Sequence, residues 1–191
     1  MRITKDPEIR KGEIIEAAKV LFESKGIKKT SINEIANRIG VAKGLVYYYF
    51  SSKEELIEAV VEDFIEGVDE QLKSIMENDN LDFYLKLRAI LDFYFNSIQN
   101  HPAISSYSPG NPGMFSLIRD RLSNIALFHA QDLIIIGLKQ DIIKIKYPEY
   151  MLDVIIRGLG DLYIKGVTDP EIHTILVEQL LGLEEDTLSL G

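Results

Sequence analysis

Residues 31–56 read SINEIANRIGVAKGLVYYYFSSKEEL, two short amphipathic patterns separated by a glycine. Ser31 followed by Glu34 forms a capping box, which predicts that a helix starts near Ile32. Gly40 comes directly after the apolar residues of that helix, and glycine is the residue best suited to the left-handed backbone that ends a helix. The segment therefore predicts a helix-turn-helix.

The second helix of this motif carries three consecutive tyrosines. At about 100° per residue, Val46 and Phe50 share one side of the helix, whereas Tyr47 and Tyr48 lie on the other. An exposed aromatic pair is typical of an interaction surface, and tyrosine can donate to a phosphate or contact a thymine methyl group. The alternative, in which the rings pack against neighbouring helices, stays open and applies most to Tyr49, at the edge of the apolar stripe. The motif points to DNA.

We expect the DNA contacts to come from the motif and from the start of the helix after it. Lys43 and Lys53 supply positive charge for phosphates, and Gly44 lets its helix approach the DNA backbone closely. The candidate DNA-binding residues are Ser31, Asn33, Lys43, Gly44, Leu45, Tyr47, Tyr48, Tyr49 and Lys53.

The same residues resemble a known family. The run from Gly40 to Phe50, followed by Ser52 to Leu56, is similar to the signature of the tetracycline-repressor-like (TetR) family of bacterial and archaeal regulators. Upstream, the apolar spacing from Ile14 to Phe22 and the glycine at position 26 resemble that family's first helix. The resemblance covers the chain up to Leu56. It implies a homodimeric DNA-binding regulator whose C-terminal domain binds a small effector.

Charge is distributed unevenly along the chain. Residues 1–54 contain 11 Lys and Arg against 7 Asp and Glu, a net charge of +4, whereas residues 55–191 contain 10 against 23, a net charge of −13. A basic end suits contact with phosphates, and an acidic remainder either orients the protein on DNA or aids solubility. We predict a helix-turn-helix DNA-binding domain over residues 1–54 and a helical ligand-binding and dimerisation domain over residues 55–191.

Composition narrows the function classes. The chain has 191 residues, 46% of them hydrophobic, and no cysteine, which excludes disulfides, thiol catalysis and a cysteine zinc site. The three histidines are far apart in sequence and lack carboxylates at ligand spacing, so we expect no metal and no cofactor. There is no nucleophile beside a base and no phosphate loop, so we expect no enzyme activity. Neither a signal peptide nor a membrane helix is present in the pattern, which predicts a cytoplasmic protein.

The hydrophobic periodicity is helical throughout and predicts an all-α fold of about nine helices, a three-helix N-terminal domain followed by a larger helical domain. Ser51 or Ser52 should cap a long fourth helix that reaches about Glu77, and the last residues, 184–191, should fray. The other helices are expected near residues 7–26, 81–100, 114–140 (as one helix or two), 148–165 and 170–183.

An effector pocket should be enclosed by the fourth to seventh helices if the family's fold holds. Apolar walls would suit a hydrophobic or amphipathic molecule, although aromatic residues at helical spacing can equally be ordinary core. The candidate pocket residues are Phe64, Arg88, Phe93, Tyr94, Tyr107, Phe115, Phe128, His129 and Asp132.

The last two helices carry more apolar residues than one face against the body requires, which predicts a dimer interface; the alternative is that they are core helices. Binding of a helix-turn-helix to a palindromic operator needs two-fold symmetry, which favours the dimer. The candidate interface residues are Met151, Ile155, Gly158, Leu159, Leu162, Ile172, Leu176, Gln179 and Leu180.

These observations predict a sequence-specific DNA-binding transcriptional regulator, a repressor released from double-stranded operator DNA by a small hydrophobic or amphipathic effector. An architectural or effector-independent DNA-binding protein and a helical ligand carrier remain as alternatives.

Overall fold

The computed structural model describes residues 5–100 and 112–188, which contain helices, turns and loops and no strand. The predicted all-α fold is confirmed over these ranges, and the helix count there is close to the predicted nine. The eight helices are α1 (Pro7–Lys25), α2 (Ile32–Arg38), α3 (Lys43–Tyr49), α4 (Lys53–Glu77), α5 (Phe83–Asn100), α6 (Pro112–Lys139), α7 (Pro148–Ile164) and α8 (Pro170–Leu181).

The described chain divides into two compact units. The first contains the residues up to Gly67, and the second contains Val68–Asn100 and the residues from Ser116 onward. The first unit therefore includes part of α4, beyond the predicted domain boundary between residues 54 and 55. That boundary separates a DNA-binding from an effector-binding role, and it stays a prediction.

The first unit begins and ends its helices at the residues that local capping rules indicate. Asp6 accepts a hydrogen bond from the Glu8 N–H at 2.9 Å at the start of α1, and α1 ends at Gly26. The capping box of α2 is present as predicted, because the Ser31 hydroxyl accepts from the Glu34 N–H at 3.3 Å and the Glu34 carboxylate accepts from the Ser31 N–H at 2.9 Å.

Between the two candidate caps of α4, the structure selects Ser52. Its hydroxyl oxygen accepts from the Glu55 N–H at 3.0 Å, whereas Ser51 donates both its N–H and its hydroxyl to the Glu55 carboxylate at 2.6 Å. From this cap α4 continues for 25 residues to Glu77, the predicted end.

The second unit has its own apolar core, to which α5, α6, α7 and α8 contribute; central residues are Phe83, Leu91, Leu133, Leu152 and Val177. The segment predicted as one or two helices is a single helix, α6. Near its end a Cβ on Gly137 would lie 2.7 Å from Phe83 Cε2 and 2.8 Å from Ile143 Cδ1. Only glycine allows this close approach of α6 to its neighbours.

The expectation that residues 184–191 fray is wrong for residues 184–188. The buried carboxylate of Glu178 in α8 accepts from the Leu188 N–H at 2.6 Å and from the Asp186 N–H at 3.3 Å. The side chain of Leu188 is buried in the core of the second unit. A charged acceptor and an apolar anchor together fix this segment.

None of the helices described is both long enough and apolar enough to cross a membrane.

Candidate DNA-binding interface

The α2–α3 turn has the tight geometry of a helix-turn-helix. Gly40 adopts a φ of +68°, which glycine reaches without the steric cost other residues incur. The chain then bonds back to α2, because the Val41 N–H donates to the Ala36 carbonyl at 3.0 Å. Ala36 and Val46 are fully buried where α2 and α3 cross. Small and apolar residues at the crossing fix which side of α3 points outward.

The outward side of α3 presents two tyrosine rings to solvent. Tyr47 is 44% exposed and Tyr48 is 79% exposed, whereas Val46 on the opposite side is 0% exposed. Tyr49 is only partly exposed; it packs against the core of the first unit, and the Tyr48 ring meets its edge at 5.2 Å between centroids. The two outward rings contribute little to the core, which is what an interaction surface requires.

Lys43 and Gly44 lie in the first turn of α3, beside these tyrosines. The Lys43 ammonium is 5.4 Å from the centroid of the Tyr47 ring, within the range of a cation–π contact. Gly44 is exposed, and a Cβ placed on it would meet no heavy atom within 4 Å. The fold therefore does not require glycine at position 44, and the open space lies on the outward side of α3. Leu45 is partly exposed.

Two other candidate residues already have protein partners. The Ser31 hydroxyl is engaged in the capping box of α2. The Lys53 ammonium donates to the Ile27 carbonyl at 2.5 Å, which ties the first turn of α4 to the loop after α1. An ammonium has three N–H groups, so Lys53 keeps two for a phosphate. Asn33 is exposed at the start of α2.

Apart from Lys53, the described cations of the first unit fall into two groups. One group is neutralised by ion pairs with carboxylates and consists of Lys5, Arg10, Lys19 and Lys25. The other group is exposed and makes no ion pair with any residue in the ranges 5–100 and 112–188; it consists of Lys11, Lys28, Lys29, Arg38 and Lys43. Of these, only Lys43 was in the predicted contact set, because sequence alone does not show which cations are already paired.

Glu34 illustrates how such pairing is maintained. Its carboxylate accepts from the Lys25 ammonium at 2.7 Å and from the Ser31 N–H and hydroxyl. The Lys25 hydrogen bond, followed by the bonds from Ser31, lowers the pKa of Glu34 from 4.5 to about 2. Glu34 is therefore ionised at neutral pH, and Lys25 serves α2 rather than a phosphate.

An exposed aromatic and basic face on the second helix of a helix-turn-helix defines the class of protein, one with a DNA-binding domain of this type. Residues 14–60 match the family described as bacterial regulatory proteins, tetR family. The resemblance stated from the sequence is confirmed over these residues: the chain carries the N-terminal domain of the TetR family.

Curated relatives share this part of the chain. The HTH-type transcriptional regulator YvdT of Bacillus subtilis is 35% identical over 92 residues, which are 48% of this chain and 47% of YvdT. The HTH-type transcriptional repressor KstR2 of Mycobacterium tuberculosis is 26% identical over 102 residues, 53% of this chain and 50% of KstR2. The chain thus spans about half the length of the curated relatives it matches.

Solved structures extend the likeness of fold to nearly the whole chain. A TetR-family transcriptional regulator from Streptomyces coelicolor aligns with a TM-score of 0.69 at 21% identity, covering 92% of this chain and 80% of that one. The structure of KstR2, named a ketosteroid transcriptional regulator, aligns with a TM-score of 0.54 at 20% identity, covering 95% and 97%. At these identities the comparison establishes the fold alone.

The predicted effector residues differ in burial where the structure describes them, and their convergence on one site stays a prediction. Tyr107 and the side chain of Phe115 lie outside the described residues, and Phe64 belongs to the first unit. In the second unit Phe128 is 68% exposed and Asp132 is exposed, so these two do not line an enclosed pocket in this structure. Arg88, Phe93 and Tyr94 on α5 are partly buried.

His129 is buried but already bonded. Its Nε2 donates to Asp69 Oδ1 at 2.7 Å, which joins α6 to α4 within the second unit. Two open grooves of about 560 and about 400 Å³ lie elsewhere, one along α1 and the end of α2 and one beside the end of α4. Neither groove is lined by a predicted effector residue.

The predicted dimer residues divide between surface and core. Ile155 and Leu159 are buried within the second unit and are unavailable to a partner, because the side of α7 that carries them faces α5, α6 and α8. Ile172 and Gln179 are exposed, as are Val154 and Ile175, which the predicted set omits. The remaining members are partly exposed: Met151, Gly158, Leu162, Leu176 and Leu180.

Proposed function

We propose that this chain is a DNA-binding transcriptional regulator that reads its operator with α3. The observation that carries this proposal is the outward face of α3, where Tyr47 and Tyr48 stand exposed beside Lys43 in a TetR-type domain. Two rings and an ammonium on one side of a short helix suit a major groove, in which tyrosine meets phosphates and thymine methyl groups. The relatives YvdT and KstR2, named a regulator and a repressor, support this assignment.

The chain acts as a homodimer in this proposal. Exposed aliphatic side chains at Val154, Ile172 and Ile175 lie on α7 and α8, and apolar surface of this kind is typically covered in an obligate dimer. A two-fold axis would also set two copies of α3 about 34 Å apart, the distance between successive major grooves on one side of DNA.

A small apolar or amphipathic molecule would release the DNA. KstR2, a ketosteroid regulator by name, supports an effector of this class. The structural path for the signal is α4, a continuous helix that starts at the Ser52 cap directly after α3 and is bonded to α6 through Asp69 and His129. A ligand that favours another position of α4 shifts the population away from the DNA-bound form.

The test begins with selection of DNA by the purified protein from a random library, followed by measurement of Kd for the selected sequence at fixed salt. Tyr48→Ala should weaken binding by about 1–3 kcal/mol while unfolding stays unchanged, because the ring is exposed in the free protein. Tyr150→Ala removes another strongly exposed tyrosine, in the second unit, and is the matched control. Equal affinities of the wild-type protein and Tyr48→Ala would refute the role given to α3.

A further inference from the structure

Two polar atoms in the core of the second unit have no hydrogen-bond partner among the described residues: the Tyr94 hydroxyl oxygen on α5 and His173 Nδ1 on α8. His173 is 0% exposed, and although the Tyr94 ring is partly exposed, its hydroxyl oxygen is buried. The two ring centroids are only 6.3 Å apart. Buried polar atoms of native proteins are nearly always bonded, so two neighbouring exceptions require an explanation.

The hydrogen bond made by Nε2 of His173 determines whether the unpartnered Nδ1 can act as a donor or as an acceptor. Nε2 is 2.7 Å from the Val167 carbonyl oxygen. A carbonyl only accepts, so Nε2 carries the proton and donates, and Nδ1 of a neutral imidazole is left as an acceptor. The Tyr94 hydroxyl can donate and accept. Together they present one acceptor and one rotatable hydroxyl.

The surroundings of this pair are aromatic. The Phe95 ring meets His173 edge-on at 5.2 Å between centroids, and the Tyr163 ring lies 6.4 Å from Tyr94. Burial, with a smaller contribution from Tyr163, raises the pKa of Tyr94 well above its usual range, so its hydroxyl stays protonated at neutral pH.

We propose that Tyr94 and His173 form the polar end of a ligand site that accepts one uncharged hydroxyl group of an otherwise apolar molecule. A ligand hydroxyl would give both unpartnered atoms a hydrogen bond, because it can donate to His173 Nδ1 and accept from the Tyr94 hydroxyl. A carboxylate cannot donate to Nδ1 and loses its hydration among aromatic rings. This inference rests on the proposed function, since it gives the effector a chemical class: an aliphatic or aromatic alcohol.

The experiment measures direct binding by calorimetry to the full-length protein without DNA. The probes are 2-naphthol, its analogue without the hydroxyl, naphthalene, and its charged analogue, 2-naphthoate. The wild-type protein should bind 2-naphthol at least about tenfold more tightly than the other two, the discrimination expected of a buried hydrogen-bonding site.

Two variants each remove one of the two unpartnered polar atoms. Tyr94→Phe deletes only the hydroxyl, and His173→Gln keeps an amide donor for Val167 while it removes the Nδ1 acceptor. Each should reduce the preference for 2-naphthol over naphthalene by about tenfold. Tyr94→Phe should not lower the melting temperature of the ligand-free protein, because the deleted hydroxyl has no partner there, whereas His173→Gln also loses the ring contact with Phe95 and is judged by the binding preference alone. Tyr84→Phe, a partly buried tyrosine of the same helix, is the control and should preserve the preference.

Absence of 2-naphthol binding, or a preference that survives both variants, would overturn the proposed site. So would a fall in melting temperature for Tyr94→Phe without ligand, which indicates an internal partner. Failure of the regulator assignment looks different: no DNA would be selected, while the preference for 2-naphthol would still depend on Tyr94 and His173.

Discussion

Replacement of Gly44 by alanine should raise the stability of this protein and lower its affinity for DNA. Gly44 is the second residue of α3, is exposed, and has no heavy atom within 4 Å of the place where a Cβ would stand. Alanine favours a helix over glycine by about 1 kcal/mol in a helix interior and by less near an end. We therefore expect the free energy of unfolding to rise by about 0.5 kcal/mol.

Affinity should change in the other direction, because the added methyl group would stand between α3 and the DNA. Loss of one charge-assisted hydrogen bond to a phosphate costs about 1.5–3 kcal/mol. This range corresponds to a Kd that rises between about tenfold and about 100-fold. The free energy of unfolding would then rise while the affinity for DNA falls. General damage to the fold would lower both.

Urea unfolding measures the first quantity, and anisotropy of a labelled operator at fixed salt measures the second. Gly12→Ala is the matched control, since Gly12 is an exposed helical residue of α1 whose Cβ would also meet nothing within 4 Å. The control should stabilise the protein and leave Kd unchanged. If Gly44→Ala binds operator as tightly as the wild-type protein, α3 does not approach DNA by the side that carries Gly44.

Three further predictions concern other parts of the chain. The pKa of Glu34 is lowered in the folded state, so the stability it contributes is complete above pH 4.5 and disappears as pH falls towards 2; the difference in unfolding free energy between wild-type protein and Glu34→Gln should shrink over that interval, and a difference that stays constant would contradict the prediction. Ile175→Glu should convert dimers into monomers in sedimentation at micromolar concentration, while Ile135→Glu, an exposed isoleucine of α6, should not; dimers in both variants would place the interface elsewhere. Glu178→Gln should lower the free energy of unfolding by about 1–2 kcal/mol and speed removal of the C-terminal residues by carboxypeptidase, because an amide holds the Leu188 N–H less strongly than a carboxylate; unchanged digestion would show that Leu188 alone fixes the segment.

Local chemistry explains why the first unit was predictable from its sequence. The residues that begin or end its helices interact only with residues a few positions away in the sequence. These are Asp6 with Pro7, the capping box of Ser31 and Glu34, and Gly40, so the helix ends can be predicted from residue spacing alone. The assignment of Tyr47 and Tyr48 to the outward face needed only the helical repeat.

Rotation of helices against one another could not be predicted in the second unit. Phe128 and His129 are adjacent, yet one is exposed and the other buried, and Ile155 and Leu159 face the core rather than a partner. The hydrogen bond from the Leu188 N–H to Glu178 joins residues ten positions apart. From the sequence alone, Glu178 would be expected to be an ordinary exposed glutamate. Such features depend on which helices pack against each other and in what orientation, and a local sequence pattern does not determine this packing.

Because α4 is long, a small rotation at one point of this helix displaces its distant residues by a larger distance. Within the first unit α4 runs from Lys53 to Gly67, a length of about 21 Å at a rise of about 1.5 Å per residue. A tilt of this part of α4 by about 5° about Gly67 would carry the first turn of α4 by about 2 Å, comparable to the difference between a hydrogen bond and no contact. Because Lys53 is bonded to the Ile27 carbonyl, the displacement would reach the loop that contains Lys28 and Lys29 as well as α3. A change far smaller than the width of a side chain at one end of this part of α4 would therefore be sufficient to disturb the phosphate contacts that we propose at the other.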